Sequence, residues 1–419
     1  MIKQTLFTVV LLCTLGVFTW SVFRLRAFFK LTKPAYPIKN ISARLTRTLN
    51  VAFGQRKIFR KPVIGLMHAL VFWGFLVITI GSIEMVFDGL TGSDRSFAFL
   101  DRFYDVLMAS GDVFAFIILI FIVLFIIRRK YMNISRFKGV EIGPKANLDA
   151  QLSLYFIGFL MLSLLAFNLG YLSNHSDHVL GVYPVSSQII QWTGLDFGGI
   201  QESGWWIHLL LIFVFANYLP YSKHFHVFLS IPNVFLSNLD PLTKYPNLES
   251  VTKEVQLMLN PEASYDETED VSRFGVKDIE DVTWRNYMDS LACTQCGRCT
   301  DVCPANITGK RLSPRKIFVD LRHRMNEKGS LLIKGKEDTK SLIRDYISEE
   351  EIWACTTCNA CAQECPIEIS HPNLIMDMRR YLVMEEASAP SGLNAMFANI
   401  ENNGAPWQYS PEDRMKWAE

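Results

Sequence analysis

The sequence predicts an all-α protein in two parts, a five-helix transmembrane bundle followed by a soluble helical domain. Three observations predict it. Five apolar stretches are each long enough to cross a bilayer, charge is divided unequally between the two halves, and eight of the nine cysteines lie within residues 293–365. The chain has 419 residues, 50% of them hydrophobic and 20% charged, with a formal net charge of +1. That is too apolar for a disordered chain and too charged for a purely membrane protein. The near-neutral sum hides a split: residues 1–230 carry 21 Lys/Arg against 11 Asp/Glu, and the rest carry 21 against 30. The second half has no basic stripe to neutralise phosphates, so nucleic-acid binding is not expected.

Bilayer-crossing helices need about 17–25 apolar residues, and such stretches lie at roughly 5–23, 63–86, 106–127, 150–172 and 204–221. The first follows Lys3 as a signal peptide would. It is too long for a typical h-region, and no small-x-small cleavage site follows it. Bulky Leu11 and Leu12 precede Cys13, which therefore reads as a small packing residue rather than a lipidated cysteine. The loops set the orientation. Residues 24–62 carry 11 basic and no acidic residues, and 128–149 carry six basic and two acidic. Residues 87–105 carry two basic and four acidic, and 173–203 carry no Lys or Arg. By the positive-inside rule the N-terminus is outside and everything after Lys223 is cytoplasmic. The expected organisation is a membrane domain over 1–236, a solvated connector over 237–284 (for example PEASYDETED, 261–270), and a cysteine-rich domain over 285–419.

One short duplication carries the chemistry. CTQCGRCTDVCP (293–304) and CTTCNACAQECP (355–366) both read C-x2-C-x2-C-x3-C-P. Three cysteines at three-residue spacing can wrap a loop around a cubane cluster, while the fourth reaches the neighbouring cluster. Cys293, Cys296, Cys299 and Cys365 are expected to hold one 4Fe–4S cluster, and Cys355, Cys358, Cys361 and Cys303 the other. Disulfides are disfavoured because the loop charges place this domain in the cytoplasm. Structural zinc uses paired C-x-x-C knuckles, which leaves the third cysteine and the Cys-Pro surplus. A helical insert (SPRKIFVDLRHRM, 313–325) separates the motifs, so the expected scaffold is a cytoplasmic helical ferredoxin-like domain rather than a compact two-fold ferredoxin. His323 and His371 stand among polar residues and read as surface histidines.

Ionisable residues in spans are functional candidates. The membrane half holds His68, His175, His178, His208, His224 and His226. Paired imidazoles ligate haem iron and leave no open position, which suits electron transfer. His208 and His226 are 18 residues apart. On an unbroken helix they point the same way, roughly 27 Å apart, with His224 turned about 160° from His208. Pro220 can kink that helix. The expected pair for an inner haem b is His68 with His226, His224 standing in reserve. An outer haem would use His208, which has no evident partner. The alternative for His208 is a hydrogen-bonded interfacial histidine beside Trp205 and Trp206; such histidines also serve as proton relays or quinone contacts.

RKPVIGLMHALVFWGF (60–75) and WWIHLLLIFVFANYLPYSKHFH (205–226) resemble the five-helix cytochrome b (gamma) subunit of respiratory nitrate reductase. FGVKDIEDVTW (274–284), the two cysteine motifs and GKRLSPRK (309–316) resemble the C subunit of heterodisulfide reductase. Their join is similar to the iron–sulfur electron-transfer flavoprotein:quinone oxidoreductases, over nearly the whole chain. The resemblance implies a protein of the bacterial inner membrane with two b haems, reduced to one or two here by the first departure below, a quinone site in the membrane half, and cysteine-rich CCG modules holding a further cluster. It implies an electron-transfer flavoprotein among the partners, beside membrane lipid. Two departures matter. The nitrate-reductase subunit has a second haem ligand further along the second span, where this chain has residues such as Ile78. No Cys-Cys pair occurs, and the sequence reads NNGAPWQYSPEDRMKWAE (402–419) where longer relatives run on into CCG modules. A separate CCG-domain iron–sulfur subunit is therefore expected.

The expected function is a membrane-bound electron-transfer subunit of a quinone-linked oxidoreductase. Electrons pass between a cytoplasmic redox partner and quinone through two 4Fe–4S clusters and haem b. No G-x-G-x-x-G or P-loop occurs, so substrate chemistry falls to a partner. One alternative runs electrons from quinol to a cytoplasmic disulfide or sulfur acceptor. Another is a haem-free anchor for a ferredoxin-like module. A redox-driven ion transporter is disfavoured because Glu84 reads as the only acidic residue well inside a span.

Overall fold

The computed structural model describes residues 2–139, 141–260 and 273–419, which form helices and turns with no β-strand among them. The PEASYDETED stretch lies outside the described residues. The membrane half contains α1 (Ile2–Phe29), α2 (Ile41–Thr48), α3 (Pro62–Thr91), α4 (Arg102–Tyr131), α5 (Pro144–Asn174), α6 (Pro184–Thr193), α7 (Gln201–Tyr218) and α8 (His226–Phe235). Helices α1, α3, α4, α5 and α7 are long and apolar enough to cross a membrane, and they stand where hydropathy placed the five spans. Helix α5 packs between α4 and α7, α3 packs on α4, and α1 packs on α3 and α7. Glycines let backbones meet: a Cβ on Gly204 would lie 2.7 Å from Phe167 N, and one on Gly170 would lie 2.5 Å from Gln201 N. Cys13 is exposed and faces away from the bundle, so it does not serve as an interior packing residue.

The fifth span does not continue to His226. After Tyr218 the chain makes a short turn over Leu219–Tyr221 with Pro220 inside it, becomes extended at Ser222 (φ −100°, ψ 156°), turns again over Lys223–Phe225, and only then enters α8. Asp149 of α5 fixes this break by accepting from Tyr218 Oη, Ser222 Oγ (2.5 Å) and Lys223 N (3.0 Å). The 18-residue helical register between His208 and His226 is lost. The rings of His224 and His226 sit 5.6 Å apart instead of pointing in opposed directions.

The second half holds α9 (Glu249–Leu259), α10 (Trp284–Ala292), α11 (Pro314–Leu332) and α12 (His371–Met384). Helix α10 begins with a reciprocal cap: Thr283 Oγ1 accepts from Asn286 N, and Asn286 Oδ1 accepts from Thr283 N. Apolar residues of α11 and α12, among them Phe318, Leu321 and Met378, share one core with Leu25, Phe28, Leu219 and Val234 of the membrane half. Two main-chain hydrogen bonds join the halves as well, Lys33 N to Val282 O at 2.8 Å and Trp284 N to Lys33 O at 2.9 Å.

Two sequence expectations fail here. Residues 273–284 are not solvated connector: Val276, Ile279 and Val282 are buried in the shared core, and buried Asp278 accepts from Arg324 at 2.8 and 3.0 Å. The polar letters of this stretch pair with α11, which hydropathy alone does not reveal. His371 is 1% exposed, not a surface histidine, because its ring meets Phe318 edge-on at 5.2 Å. His323 is exposed as expected.

Candidate functional site

The two cysteine loops adopt the same backbone. In each, the residue before the second cysteine and the residue after it have positive φ: Gln295 (57°) and Gly297 (77°) in the first, Thr357 (55°) and Asn359 (60°) in the second. These reversals curl a three-cysteine loop inward on itself. A Cβ at Gly297 would lie 2.5 Å from Arg136 O, so that position requires glycine, whereas the matching site in the second loop takes asparagine.

The thiols sort into two groups. Burial pushes Cys299 well above its ordinary value, and its neighbours Cys296, Cys293 and Cys365 add to this, with Cys361 of the other group contributing last. Burial likewise raises Cys365, which has Cys296 and Cys293 beside it. Burial pushes Cys361 up to about 12, with Cys355, Cys303 and Cys358 as neighbours. Burial raises Cys355 too, beside Cys303 and Cys358. The fourth cysteine of each motif thus stands with the first three of the other. The second group lines a small pocket together with Leu312 and Ile375. Among the described residues no three such side chains converge on a point fit for a single ion. A four-iron cubane is a larger body than one ion, and thiols set around a cavity suit it.

The first group faces the membrane half. Arg298 donates to Lys57 O (2.8 Å) and Ile58 O (3.2 Å), Lys57 Nζ donates to Cys365 O (3.2 Å), and Arg60 and Lys61 pair with Glu364 (2.8 Å) and Asp301 (3.1 Å). Residues 57–61 lead directly into α3, which carries His68. Buried Arg315 adds a second clasp, with Nε 2.7 Å from Glu141 Oε1 and hydrogen bonds to the carbonyls of Arg136 and Lys138. The second group lies at the surface, where Cys358 is exposed.

His68 lies within electrostatic reach of both His226 and Arg298, and its Nδ1 is buried with no hydrogen-bond partner among the described residues. Burial holds His226 down to about 4 and His224 down to about 3, so both rings are neutral, the form that binds a metal. His226 Nδ1 lies 3.4 Å from Lys223 O. His208 is remote from this pair in the far half of the bundle. Its Nδ1 lies 3.0 Å from Leu160 O and 3.1 Å from Ser163 Oγ, and its Nε2 lies 3.4 Å from Ser82 Oγ. His175 stacks on Tyr171 at 4.5 Å, outside any span.

Residues 292–369 match the family model described as the 4Fe–4S dicluster domain. The chain carries a dicluster domain. Over 98% of its length it is 30% identical to the probable iron-sulfur-binding oxidoreductase FadF of Bacillus subtilis, and over 99% it is 25% identical to the EtfAB:quinone oxidoreductase of Syntrophomonas wolfei. It spans only about 60% of the length of these two relatives (60% and 59%). A quarter of the chain (25%) is 32% identical to the C subunit of a CoB-CoM heterodisulfide reductase of Methanosarcina acetivorans, covering 52% of that protein. No solved structure matches. The chain is thus similar to iron–sulfur oxidoreductases, and its dicluster domain accounts for two 4Fe–4S clusters and an electron-transfer role.

Beyond the dicluster domain, the structure reveals a buried polar group in the far half of the bundle that sequence reasoning missed in part. Glu84 accepts from Phe97 N (2.9 Å) and Tyr104 Oη (3.1 Å), with Arg95 Nη1 at 3.9 Å. Asp112 is a second buried carboxylate inside a span, so Glu84 is not the only one. Asp112 accepts from Asn168, Ser186 Oγ and the backbone N–H groups of Val185 and Ser186, which anchors the start of α6. A lone aspartate after Gly111 was the available signal.

Proposed function

We propose that this chain is the membrane-bound electron-transfer subunit of a quinone-linked oxidoreductase. The observation that carries the reading is the order of the candidate centres. The group of Cys303, Cys355, Cys358 and Cys361, in which Cys358 is exposed, would hold the cluster nearest a water-phase partner. The group of Cys293, Cys296, Cys299 and Cys365, clasped to residues 57–61, would hold the second. His68 and His226 would hold haem b next along the line, His224 lying beside them. The neutral, half-buried imidazoles and the unpartnered His68 Nδ1 fit an iron ligand set. Haem b, when bound, exchanges single electrons between cluster and quinone. The protein's own part is to fix the spacing of the centres and to exclude water around them. With both ring nitrogens of His208 already engaged, one haem is the favoured number.

The name of the Syntrophomonas wolfei relative supports an electron-transfer flavoprotein as donor and quinone as acceptor. A CCG-domain subunit between them follows from the family resemblance alone. The loop charges support a cytoplasmic dicluster domain and an external N-terminus in a bacterial inner membrane. Likeness to heterodisulfide reductase subunits favours a second reading, in which quinol is oxidised and a cytoplasmic acceptor reduced. Cluster and haem potentials separate the two directions. The test of the main reading is a pyridine haemochrome, iron and acid-labile sulfide assay on the detergent-purified chain. About eight non-haem irons are expected, with one b haem lost in His68→Ala and His226→Ala. Full iron with no haem would reduce the membrane half to an anchor.

A further inference from the structure

The chain between the first two spans does not simply pass over the membrane surface. From Ile41 it runs as helix α2 and continues without a break into one wider helical turn, Leu49–Phe53. Three rows of side chains run along this segment. Arg44, Thr48 and Ala52 are buried against the protein; Arg44 donates to Phe235 O (2.9 Å) and Ser237 O (2.7 Å) at the end of α8. Ile41, Leu45, Leu49 and Phe53 form an exposed apolar row. Ser42, Thr46 and Asn50 form an exposed polar row beside it.

The level of the segment is fixed by its contacts with α3. Trp73 Nε1 donates to Phe53 O at 2.9 Å, and the rings of Phe53 and Phe72 lie 6.2 Å apart. Phe72 is ten residues into α3, about 15 Å along its axis at 1.5 Å per residue. The chain then climbs back beside the same helix. Ile58 O would lie 2.6 Å from a Cβ on Gly65, three residues from the start of α3, and Phe59 meets the Trp73 ring at 6.4 Å. Helix α8, on which α2 packs, reaches a similar depth, because Phe228 meets Phe18 of α1 at 5.9 Å. Residues 41–61 therefore descend to the level of Phe72 and Trp73 and return.

We propose that residues 41–61 are a membrane-inserted segment, in addition to the five spans, that dips into the leaflet on the side of the dicluster domain. Its occupant is lipid. The row Ile41, Leu45, Leu49 and Phe53 contacts acyl chains, and the row Ser42, Thr46 and Asn50 lies toward the headgroups. An amphipathic helix with one apolar edge and one polar edge settles at this boundary. The backbone carbonyl at its deepest point, Phe53 O, is satisfied by the Trp73 indole, as hydrocarbon surroundings demand. Because residues 57–61 grip the cluster loops, the segment links lipid to the first thiol group.

The inference rests on the membrane reading, and its test separates the two. Single cysteines at Leu45, Leu49, Thr46 and Asn50, and at Leu12 of α1 as a reference, are placed in a Cys13→Ala background with clusters loaded. They are labelled with a small fluorophore in nanodiscs holding one copy each. Brominated lipid is expected to quench Leu45 and Leu49 about two-fold or more beyond Thr46 and Asn50, with iodide in the buffer giving the reverse order. Quenching at Leu12 but not at Leu45 or Leu49 overturns the inference and leaves the spans standing. Failure at Leu12 as well overturns the membrane reading itself. Equal iodide quenching of all four sites in 41–53 shows the segment lies in water, which also overturns the proposal.

Discussion

Arg298 donates from Nη1 to the carbonyl of Lys57 at 2.8 Å, which ties the residue before Cys299 to the turn that opens the His68 helix. The same guanidinium reaches Ile58 O and lies 3.7 Å from Glu364, with its side chain 6% exposed. One buried fork thus joins a cluster loop to a transmembrane helix.

Replacing that fork is expected to loosen the junction. Arg298→Ala leaves the carbonyls of Lys57 and Ile58 without their partner and Glu364 with Arg60 alone, a loss of about 2–4 kcal/mol at this contact. Arg298→Lys keeps the charge but not the two-pronged geometry and restores only part of it. Hydrogen exchange at residues 57–61 is the readout, faster in the Ala variant and intermediate in the Lys variant. Unchanged exchange in both would show that Arg298 does not hold the junction.

The crossed grouping of thiols makes a prediction that an uncrossed one does not. Cys303→Ser is expected to remove the cluster of the second motif rather than its own, lowering non-haem iron from about eight to about four. Its electron paramagnetic resonance spectrum should match that of Cys358→Ser and differ from that of Cys299→Ser. Cys365→Ser should match Cys299→Ser in turn. A Cys303→Ser spectrum identical to that of Cys299→Ser would refute the crossed assignment.

Asp289 gives a pH test in the dicluster domain. Burial holds its carboxyl up to about 6, above the ordinary 3.8, against the opposing pull of Arg285 and the Asn233 amide. A carboxyl with a raised folded pKa contributes most below its unfolded pKa and loses that contribution as pH climbs through the folded value. The Tm of the native chain, measured relative to Asp289→Asn, should therefore fall between about pH 4 and pH 7, through a free-energy change of up to about 3 kcal/mol. The amide keeps an oxygen for Asn233 and Arg285, so the variant folds. A Tm difference that rises over this interval would contradict the raised value.

Much of this architecture was legible because it rests on quantities that sequence carries directly. Twenty-residue hydropathy fixes a span wherever it occurs, so Val63 to Val86 read as a membrane helix without knowledge of its neighbours. The three-residue cysteine spacing fixes a loop, and the Cys-Pro ending shows which cysteine points away. Properties that depend on tertiary partners were not legible. His371 sits between Ser370 and Pro372, and only Phe318, 53 residues earlier, makes it interior. The hydrogen bonds that Asp149 accepts break the helix before His226, and no helical arithmetic on 208–226 contains Asp149. Helix α2 is too short for a hydropathy window, and its two exposed rows gain meaning only from the level of Phe72 and Trp73.

The core that Leu25, Phe28, Leu219 and Val234 share with Phe318 and Leu321 has a mechanical consequence. An iron–sulfur module on a hinge could swing between donor and acceptor and carry charge by travelling. Here that option is closed, since any such swing would tear open a continuous hydrophobic interior. The module is welded to its base, so the distances between its thiol groups and the membrane half are constants of the fold.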